Sequence, residues 1–98
     1  MKTEVYSEKL LERKLVEEVK RNKGWCIKLL CNHVIGLPDR LCLFPNSRAL
    51  FAEVKTTGEK PRRSQELIHD RLRRLGFQVY IVDKPSIIQD IIDYAKRD

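Results

Sequence analysis

Two acidic residues and a lysine, Asp39, Glu53 and Lys55, lie where two predicted strands would end side by side. The segments DRLCLF and RALFAEVK are typical of strands, and the turn-forming residues 45–47 join them. If Phe44 pairs with Arg48 in an antiparallel hairpin, the same register places Asp39 directly opposite Glu53. Opposed side chains share a face of the sheet, with Cβ atoms about 4.5–5.5 Å apart. The hairpin therefore predicts two neighbouring carboxylates.

Lys55 follows Glu53 by two residues, so it points to the same face of its strand. The simplest structural interpretation is an ion pair between Lys55 and one carboxylate, which leaves the other without a partner. A divalent cation such as Mg²⁺ or Mn²⁺ would neutralise both, because it prefers hard oxygen ligands. Such an ion activates water and polarises a phosphoryl oxygen, while a lysine stabilises the developing negative charge. The three residues therefore predict phosphodiester hydrolysis.

These residues form a recognisable motif. Pro38-Asp39, followed by Glu53-Val54-Lys55, resembles the PD-(D/E)XK signature of restriction-endonuclease-like nucleases. With the surrounding GLPD, AEVKTTGEKPRRSQ and LRRLGFQVYIVD, the chain resembles the virus-type replication-repair nuclease family, VRR-NUC, in its stand-alone phage and bacterial form. The resemblance implies that Asp39, Glu53 and the main-chain carbonyl of Val54 bind metal, and that Lys55 is catalytic.

The resemblance covers about residues 8 to 83 and implies two further site residues. The family uses a glutamine after the lysine strand, which Gln65 matches, and a glutamate on the first helix. We choose Glu12 for that glutamate, with Glu8 as the rival one helical turn earlier on the same face. For both glutamates a solvated surface role is the alternative. The family often has glycine in the hairpin turn where this chain has Asn46-Ser47, which leaves the register open.

The hydrophobic pattern predicts a single α/β domain over residues 1–98, with the order α-β-β-β-α-β-α. This order gives a mixed β-sheet flanked by helices, and the resemblance implies that the fold is restriction-endonuclease-like. Helices are predicted at about 7–22, 61–75 and from 85, and strands at 25–30, 39–44, 48–55 and 77–82. The predicted buried helix positions are Leu11, Leu15, Val16, Val19, Ile68, Leu72, Leu75, Ile88, Ile91, Ile92 and Ala95.

The net charge of +6 and the pI near 9.4 favour an anionic partner such as nucleic acid. Lys60, Arg62 and Arg63 follow Lys55 closely and precede a helix whose N-terminal N–H groups favour phosphate. We predict that these three contact DNA phosphates without base specificity. Lys28 is a further candidate, or else an edge-strand charge that discourages sheet pairing.

Cysteine usage and hydropathy indicate the surroundings of the protein. Three cysteines, set among apolar neighbours, indicate buried thiols rather than a disulfide framework. Zinc held by Cys26, Cys31 and His33 would not fit a paired CxxC pattern. The sequence shows neither an apolar run of about 20 residues nor an N-terminal signal, so we expect no membrane association. The expected setting is the cytoplasm of a bacterial or phage-infected host cell.

The predicted function is a Mg²⁺- or Mn²⁺-dependent endonuclease acting on branched DNA. The resemblance implies a homodimer that cuts four-way (Holliday) junctions, because two symmetric sites suit a two-fold junction. The apolar face of the last helix and the first strand are the candidate interfaces. Two alternatives stay open: a nucleic-acid-binding module that has lost catalysis, and a toxin or restriction-type nuclease that cuts plain duplex DNA.

Overall fold

The computed structural model describes residues 4–31 and 33–97. Its four strands form one sheet in the order β1-β2-β3-β4, with β1, β2 and β3 antiparallel and β3 and β4 parallel. Helix α2 makes the crossover between the parallel strands. The predicted mixed sheet and element order are therefore confirmed, with the bounds α1 Glu8–Arg21, β1 Trp25–Lys28, β2 Arg40–Phe44, β3 Arg48–Val54, α2 Arg63–Arg74, β4 Gln78–Val82 and α3 Pro85–Ala95.

Helices α1 and α3 pack on one face of the sheet and form the core with it. Each buried leucine or isoleucine there stabilises the fold by about 1.5–3 kcal/mol relative to an exposed one. Val16 and Ala95, which the pattern placed in the buried stripes, are half-buried. The core residues are Leu11, Leu15, Val19, Cys42, Phe44, Leu50, Ala52, Val54, Val82, Ile88, Ile91 and Ile92.

The ends of α1 follow from local sequence. The Ser7 hydroxyl accepts a hydrogen bond from the Leu10 N–H at 3.2 Å, which caps the start of the helix. After the helix ends, Lys23 adopts a positive φ of 65°. Gly24 serves another purpose, since a Cβ there would lie 2.7 Å from the Leu43 carbonyl oxygen and 2.8 Å from Val19. The glycine therefore lets the end of α1 approach the β2–β3 hairpin.

The hairpin has the predicted register. Phe44 pairs with Arg48, and the ladder continues in step to Arg40 and Ala52. The turn at residues 45–47 holds Asn46 at φ 66° and Ser47 at φ 62°, a backbone conformation that glycine adopts with least strain. The register is kept without a glycine in the turn.

Helix α2 differs most from the prediction. Leu75 is 68% exposed, and Ile68 and Leu72 are only half-buried, so the predicted buried stripe is wrong. The buried residues of α2 are instead Gln65 and His69. The physical reason is position: α2 packs against β4, at the edge of the sheet, and turns this polar side toward the end of β3.

All four strands are shorter than predicted, with β2 and β3 each lacking one end residue, Asp39 and Lys55. Strand β1 ends at Lys28, and the following Leu30 is 87% exposed. Strand β4 begins at Gln78, while Phe77 packs edge-on against Phe51 with ring centroids 5.7 Å apart. No helix within the described residues is both long enough and apolar enough to cross a membrane.

All three cysteines are free thiols. Cys26 and Cys42 are paired across β1 and β2, with their Sγ atoms 3.7 Å apart. The Cys42 thiol donates to Cys26, and this bond together with burial raises the pKa of Cys42. Cys31 is exposed, so the expectation of buried thiols is wrong for this residue. It lies on a loop beyond the end of β1, outside the core.

Candidate active site

Asp39 and Glu53 lie at the same end of the β2–β3 pair. Asp39 immediately precedes β2, and its Oδ2 accepts a hydrogen bond from the Val54 N–H at 3.0 Å. Its main-chain carbonyl accepts a second bond from the Leu29 N–H at 2.8 Å. Glu53 is only 1% exposed, and the Asp39 charge acts on it strongly enough to shift its pKa. The register thus delivers two carboxylates to one place.

The negative charge of the Glu53 carboxylate is only partly balanced by the groups around it. Burial and, second to it, the charge of Asp39 raise the pKa of Glu53 to about 8. The Lys55 Nζ lies 3.7 Å from Glu53 Oε2 and opposes that shift without cancelling it. Glu53 Oε1 is buried and has no hydrogen-bond partner among the described atoms. A buried carboxylate oxygen in this condition is a place where a cation would be stabilising.

Gln65 connects helix α2 to this carboxylate. Its Nε2 donates to Glu53 Oε2 at 3.1 Å, and its Oε1 accepts from the Arg62 N–H at 2.8 Å. The second bond satisfies a free N–H group at the start of α2 and orients the amide. Gln65 therefore holds the carboxylate of Glu53 from the helix that also carries the predicted phosphate contacts.

His69 also lies beside the carboxylate of Glu53. It is 1% exposed, and its Nε2 lies 3.9 Å from Glu53 Oε1. Neither atom has a hydrogen-bond partner within the described structure. Burial is the main cause that lowers the pKa of His69, which favours the neutral ring. The available signal was its spacing of four from Gln65, which puts both on one helix face.

Of the two candidate glutamates on α1, Glu8 lies nearer the carboxylate pair. Its N–H bonds to the Thr56 hydroxyl at 3.3 Å, one residue beyond Lys55, and its charge acts on Glu53. Glu12 instead forms an ion pair with Arg40, and its Oε1 lies 3.7 Å from the Lys28 Nζ. The choice between the two glutamates stays a prediction, and the structure favours Glu8, because two cations, Arg40 and Lys28, already lie beside the Glu12 carboxylate.

Lys28 does not face the carboxylate pair. It is paired across the strands with Arg40, which pairs with Ala52 on the face covered by α1. That face is opposite the one that carries Glu53, because side chains alternate along a strand. The largely buried Arg40 is a residue that the sequence analysis did not single out, although it directly follows Asp39.

Comparison with known proteins gives two informative matches. A solved structure described as "VRR_NUC domain" superposes with a TM-score of 0.82 at 25% identity, covering 91% of this chain and 98% of that one. "Putative nuclease p44" of Acyrthosiphon pisum secondary endosymbiont phage 1 is 39% identical over 77 residues, which are 79% of this chain and 83% of the relative. The chain belongs to the VRR-NUC family of nucleases. No protein-family model matches it.

The family assignment confirms the resemblance and the restriction-endonuclease-like fold, and it makes the protein a nuclease with a nucleic acid as substrate. In this VRR-NUC nuclease the predicted phosphate contacts Lys60, Arg62 and Arg63 are exposed. They lie between Lys55 and the first turn of α2, whose N-terminal N–H groups add positive potential. A phosphate that approaches the carboxylates would therefore meet this basic loop.

The oxygen donors suit a hard divalent cation, although the described residues contain no group of three or more His, Cys, Asp or Glu side chains arranged for a metal. Asp39 and Glu53 supply two carboxylates. The N–H and C=O of one strand residue point to the same side, so the carbonyl of Val54 faces Asp39 as its N–H does. Two carboxylates and one carbonyl are ligands that Mg²⁺ and Mn²⁺ accept, with water completing the shell.

Proposed function

We propose that this VRR-NUC nuclease is a metal-dependent, structure-specific DNA endonuclease. It hydrolyses phosphodiester bonds in branched DNA, in particular four-way junctions, and acts as a homodimer. The observation that carries the proposal is the buried Glu53 beside the half-buried Asp39, with Lys55 3.7 Å from Glu53 and one Glu53 oxygen left without a partner in the described structure. Such a pair is costly to keep in a fold unless a cation joins it.

The residues that would hold Mg²⁺ or Mn²⁺ are Asp39, Glu53, the carbonyl of Val54 and Glu8, with Glu12 as a weaker candidate. When bound, the ion supplies a Lewis acid for a phosphoryl oxygen and an acidified water. The Val54 N–H holds Asp39, and Gln65 holds Glu53, so both carboxylates are oriented before substrate arrives. Because both carboxylates are already oriented, the site favours a divalent cation bound by both of them over a simple ion pair between Lys55 and one carboxylate.

Lys55 has the position of a catalytic residue. Its main-chain N–H donates to the Val82 carbonyl at 3.0 Å, which anchors the residue to β4, and its side chain lies beside Glu53. The ammonium group orients the attacking water and stabilises negative charge as it develops on the phosphoryl oxygens. Because this hydrogen bond to β4 fixes the backbone of Lys55, its side chain needs little reorganisation to take these roles.

A homodimer requires an uncovered surface, and the structure bears on the two candidate interfaces. The apolar face of α3 lies in the core, with Ile88, Ile91 and Ile92 all buried. Strand β1 is an edge strand of the sheet, and its Trp25 is 67% exposed. We therefore place the subunit contact on the β1 side, where a second copy would remove this apolar surface from water.

Replacing Trp25 tests this interface. Trp25→Glu is expected to convert a dimer into a monomer in light scattering coupled to gel filtration, while Phe77→Glu on the far edge serves as the matched control. An unchanged mass for Trp25→Glu would place the subunit contact elsewhere.

The phage origin of the relative supports action inside a phage-infected bacterial cell.

Cleavage of a labelled four-way junction tests the activity. The junction and a linear duplex of the same sequence are incubated with Mg²⁺ or Mn²⁺, using the wild type, Asp39→Asn, Glu53→Gln and Lys55→Ala. Each variant is expected to lose at least about 10²-fold in rate, because each removes a charge from the reacting centre. Asp90→Asn, which neutralises an exposed carboxylate on α3, is the matched control and keeps wild-type activity.

Three outcomes would contradict the proposal. Wild-type cleavage by Glu53→Gln would exclude the metal site. Tight binding with no cleavage by any protein would favour the binding module. Equal rates on the junction and the linear duplex would favour a nuclease for plain duplex DNA.

A further inference from the structure

The connection between β1 and β2 is held firmly beside the carboxylate pair. At its base the Leu29 N–H donates to the Asp39 carbonyl at 2.8 Å. Further along, Gly36 at φ +95° rests on the first turn of α2, where a Cβ would lie 2.3 Å from the Ser64 carbonyl oxygen. The loop is therefore anchored both to Asp39 and to the helix that carries Gln65.

Between these anchors the loop exposes apolar side chains. Leu30 is 87% exposed, Ile35 is 78% exposed and Val34 is 40% exposed. Loop surfaces are normally built from polar residues, so large aliphatic side chains held in water by an anchored loop indicate an apolar partner. These side chains do not belong to the hydrophobic core cluster, so they do not contribute to its packing.

The surroundings of the loop point to DNA as that partner. Gly36 contacts Ser64, and the residues before Ser64 are Arg62 and Arg63, both exposed. Asp39, at the base of the loop, belongs to the carboxylate pair. Because the loop is anchored at Asp39 and at Ser64, a DNA strand that reaches the carboxylate pair and the basic residues would run close to this loop. What DNA offers to aliphatic side chains is the face of an unstacked base.

We propose that Leu30 and Ile35 form an apolar wedge that packs against the base pair at a DNA branch point and selects branched over continuous DNA. The inference rests on the proposed endonuclease function and assigns residues to its substrate preference. In a continuous duplex, inserting a side chain requires unstacking a base step. At a branch point the stack is already interrupted, so the wedge finds an open base face without that cost.

The test compares Leu30→Ser/Ile35→Ser with the wild type on a four-way junction and on a linear duplex of the same sequence. We expect kcat/KM on the junction to fall by about tenfold or more, with the linear rate unchanged within about twofold. Leu75→Ser is the matched control, because Leu75 is equally apolar and 68% exposed but lies at the far end of α2. The exposed positions predict that every variant keeps the wild-type melting temperature.

Binding of a junction with 2-aminopurine at the branch, measured in Ca²⁺ without cleavage, provides a second readout. The wild type should change the fluorescence and the double variant should not. An unchanged junction-to-linear ratio together with wild-type fluorescence overturns the wedge. So does a fall in the mass of the double variant in light scattering, which would make the loop a subunit contact. Absence of cleavage by every protein overturns the proposed activity, while the fluorescence still decides the wedge.

Discussion

The ionisation of Glu53 determines much of the site's chemistry at the level of single residues. Its carboxylate is buried beside a second carboxylate, and one of its oxygens has no partner in the described structure. Lys55 and Gln65 each contact the other oxygen. In the absence of a cation, the folded protein therefore favours a protonated Glu53 at neutral pH.

This ionisation predicts a pH dependence of stability. The folded state raises the pKa of Glu53 from 4.5 to about 8, so between these values it binds more protons than the unfolded state. The free energy of unfolding should therefore decrease as pH rises from about 4.5 to 8, at up to about 1.4 kcal/mol per pH unit. Urea unfolding in EDTA, from pH 5 to pH 8.5, measures the decrease.

Glu53→Gln isolates this effect, because the amide cannot ionise. The variant should be more stable than the wild type at pH 8.5 and should lack much of the wild-type decrease. Adding Mn²⁺ at pH 8.5 should restore the wild type and leave the variant unchanged, since binding to the folded state alone is stabilising. Parallel curves for both proteins in EDTA would show that Glu53 is not the titrating group.

The two α1 glutamates should differ in their effects. Glu8→Gln removes a charge that acts on Glu53, so we expect cleavage to fall by about tenfold or more with little change in stability. Glu12→Gln leaves the largely buried Arg40 without its partner and should cost about 1–3 kcal/mol of stability. Cleavage rates and urea unfolding of both variants make the comparison; the reverse pattern would restore Glu12 as the site glutamate.

At the scale of elements, the site is assembled where the β1–β2 loop meets α2. Gly36 makes this contact possible, because only glycine adopts φ +95° easily and leaves room for the Ser64 carbonyl. The same contact connects the loop that ends at Asp39 to the helix that carries Gln65, and both residues act on the carboxylate of Glu53. The precision of the site therefore depends on a loop-to-helix contact as well as on the sheet.

Gly36→Ala should both destabilise the fold and impair cleavage. Gly76→Ala is the matched control, since Gly76 has φ +99° but no atom within 4 Å of its would-be Cβ. The control should lose about 1–2 kcal/mol from backbone strain alone. Gly36→Ala should lose more, because the methyl group would displace α2, and its cleavage rate should fall as well. Equal losses of stability would mean that the contact with Ser64 is not needed.

Helix α2 shows why an element's periodicity predicts its existence better than its buried face. Its residues are helical as expected, yet in the expected buried stripe Ile68 and Leu72 are only half-buried and Leu75 is exposed. A prediction from hydrophobic spacing assumes that the apolar side of a helix faces the core. This helix lies at the sheet edge over a polar site, so Gln65 and His69 are buried instead.

At the scale of the whole molecule, the net charge of +6 favours DNA, and the basic loop before α2 concentrates that charge near the site. Each phosphate contact releases counterions and contributes about 0.9 to the salt dependence of binding. Lys60→Gln/Arg62→Gln/Arg63→Gln should therefore reduce the slope of log K against log salt by up to about 2–3. Fluorescence anisotropy in Ca²⁺ at several salt concentrations measures it.

The control for this slope is Arg71→Gln/Arg74→Gln, which removes two exposed charges further along α2. It should leave the slope nearly unchanged, because a local phosphate contact rather than the overall charge determines counterion release. If both variants lower the slope in proportion to the charge removed, the basic loop has no special role.

The sequence by itself determined the order of the elements, the hairpin register and the meeting of Asp39 with Glu53. These follow from local rules: turn chemistry, strand alternation and helix periodicity act over a few residues. Only the tertiary structure decided that the charge of Glu8 acts on Glu53, that His69 lies beside Glu53, and that Glu12 pairs with Arg40. Those outcomes depend on how α1 and α2 are placed against the sheet, which packing across the whole chain determines and local spacing does not.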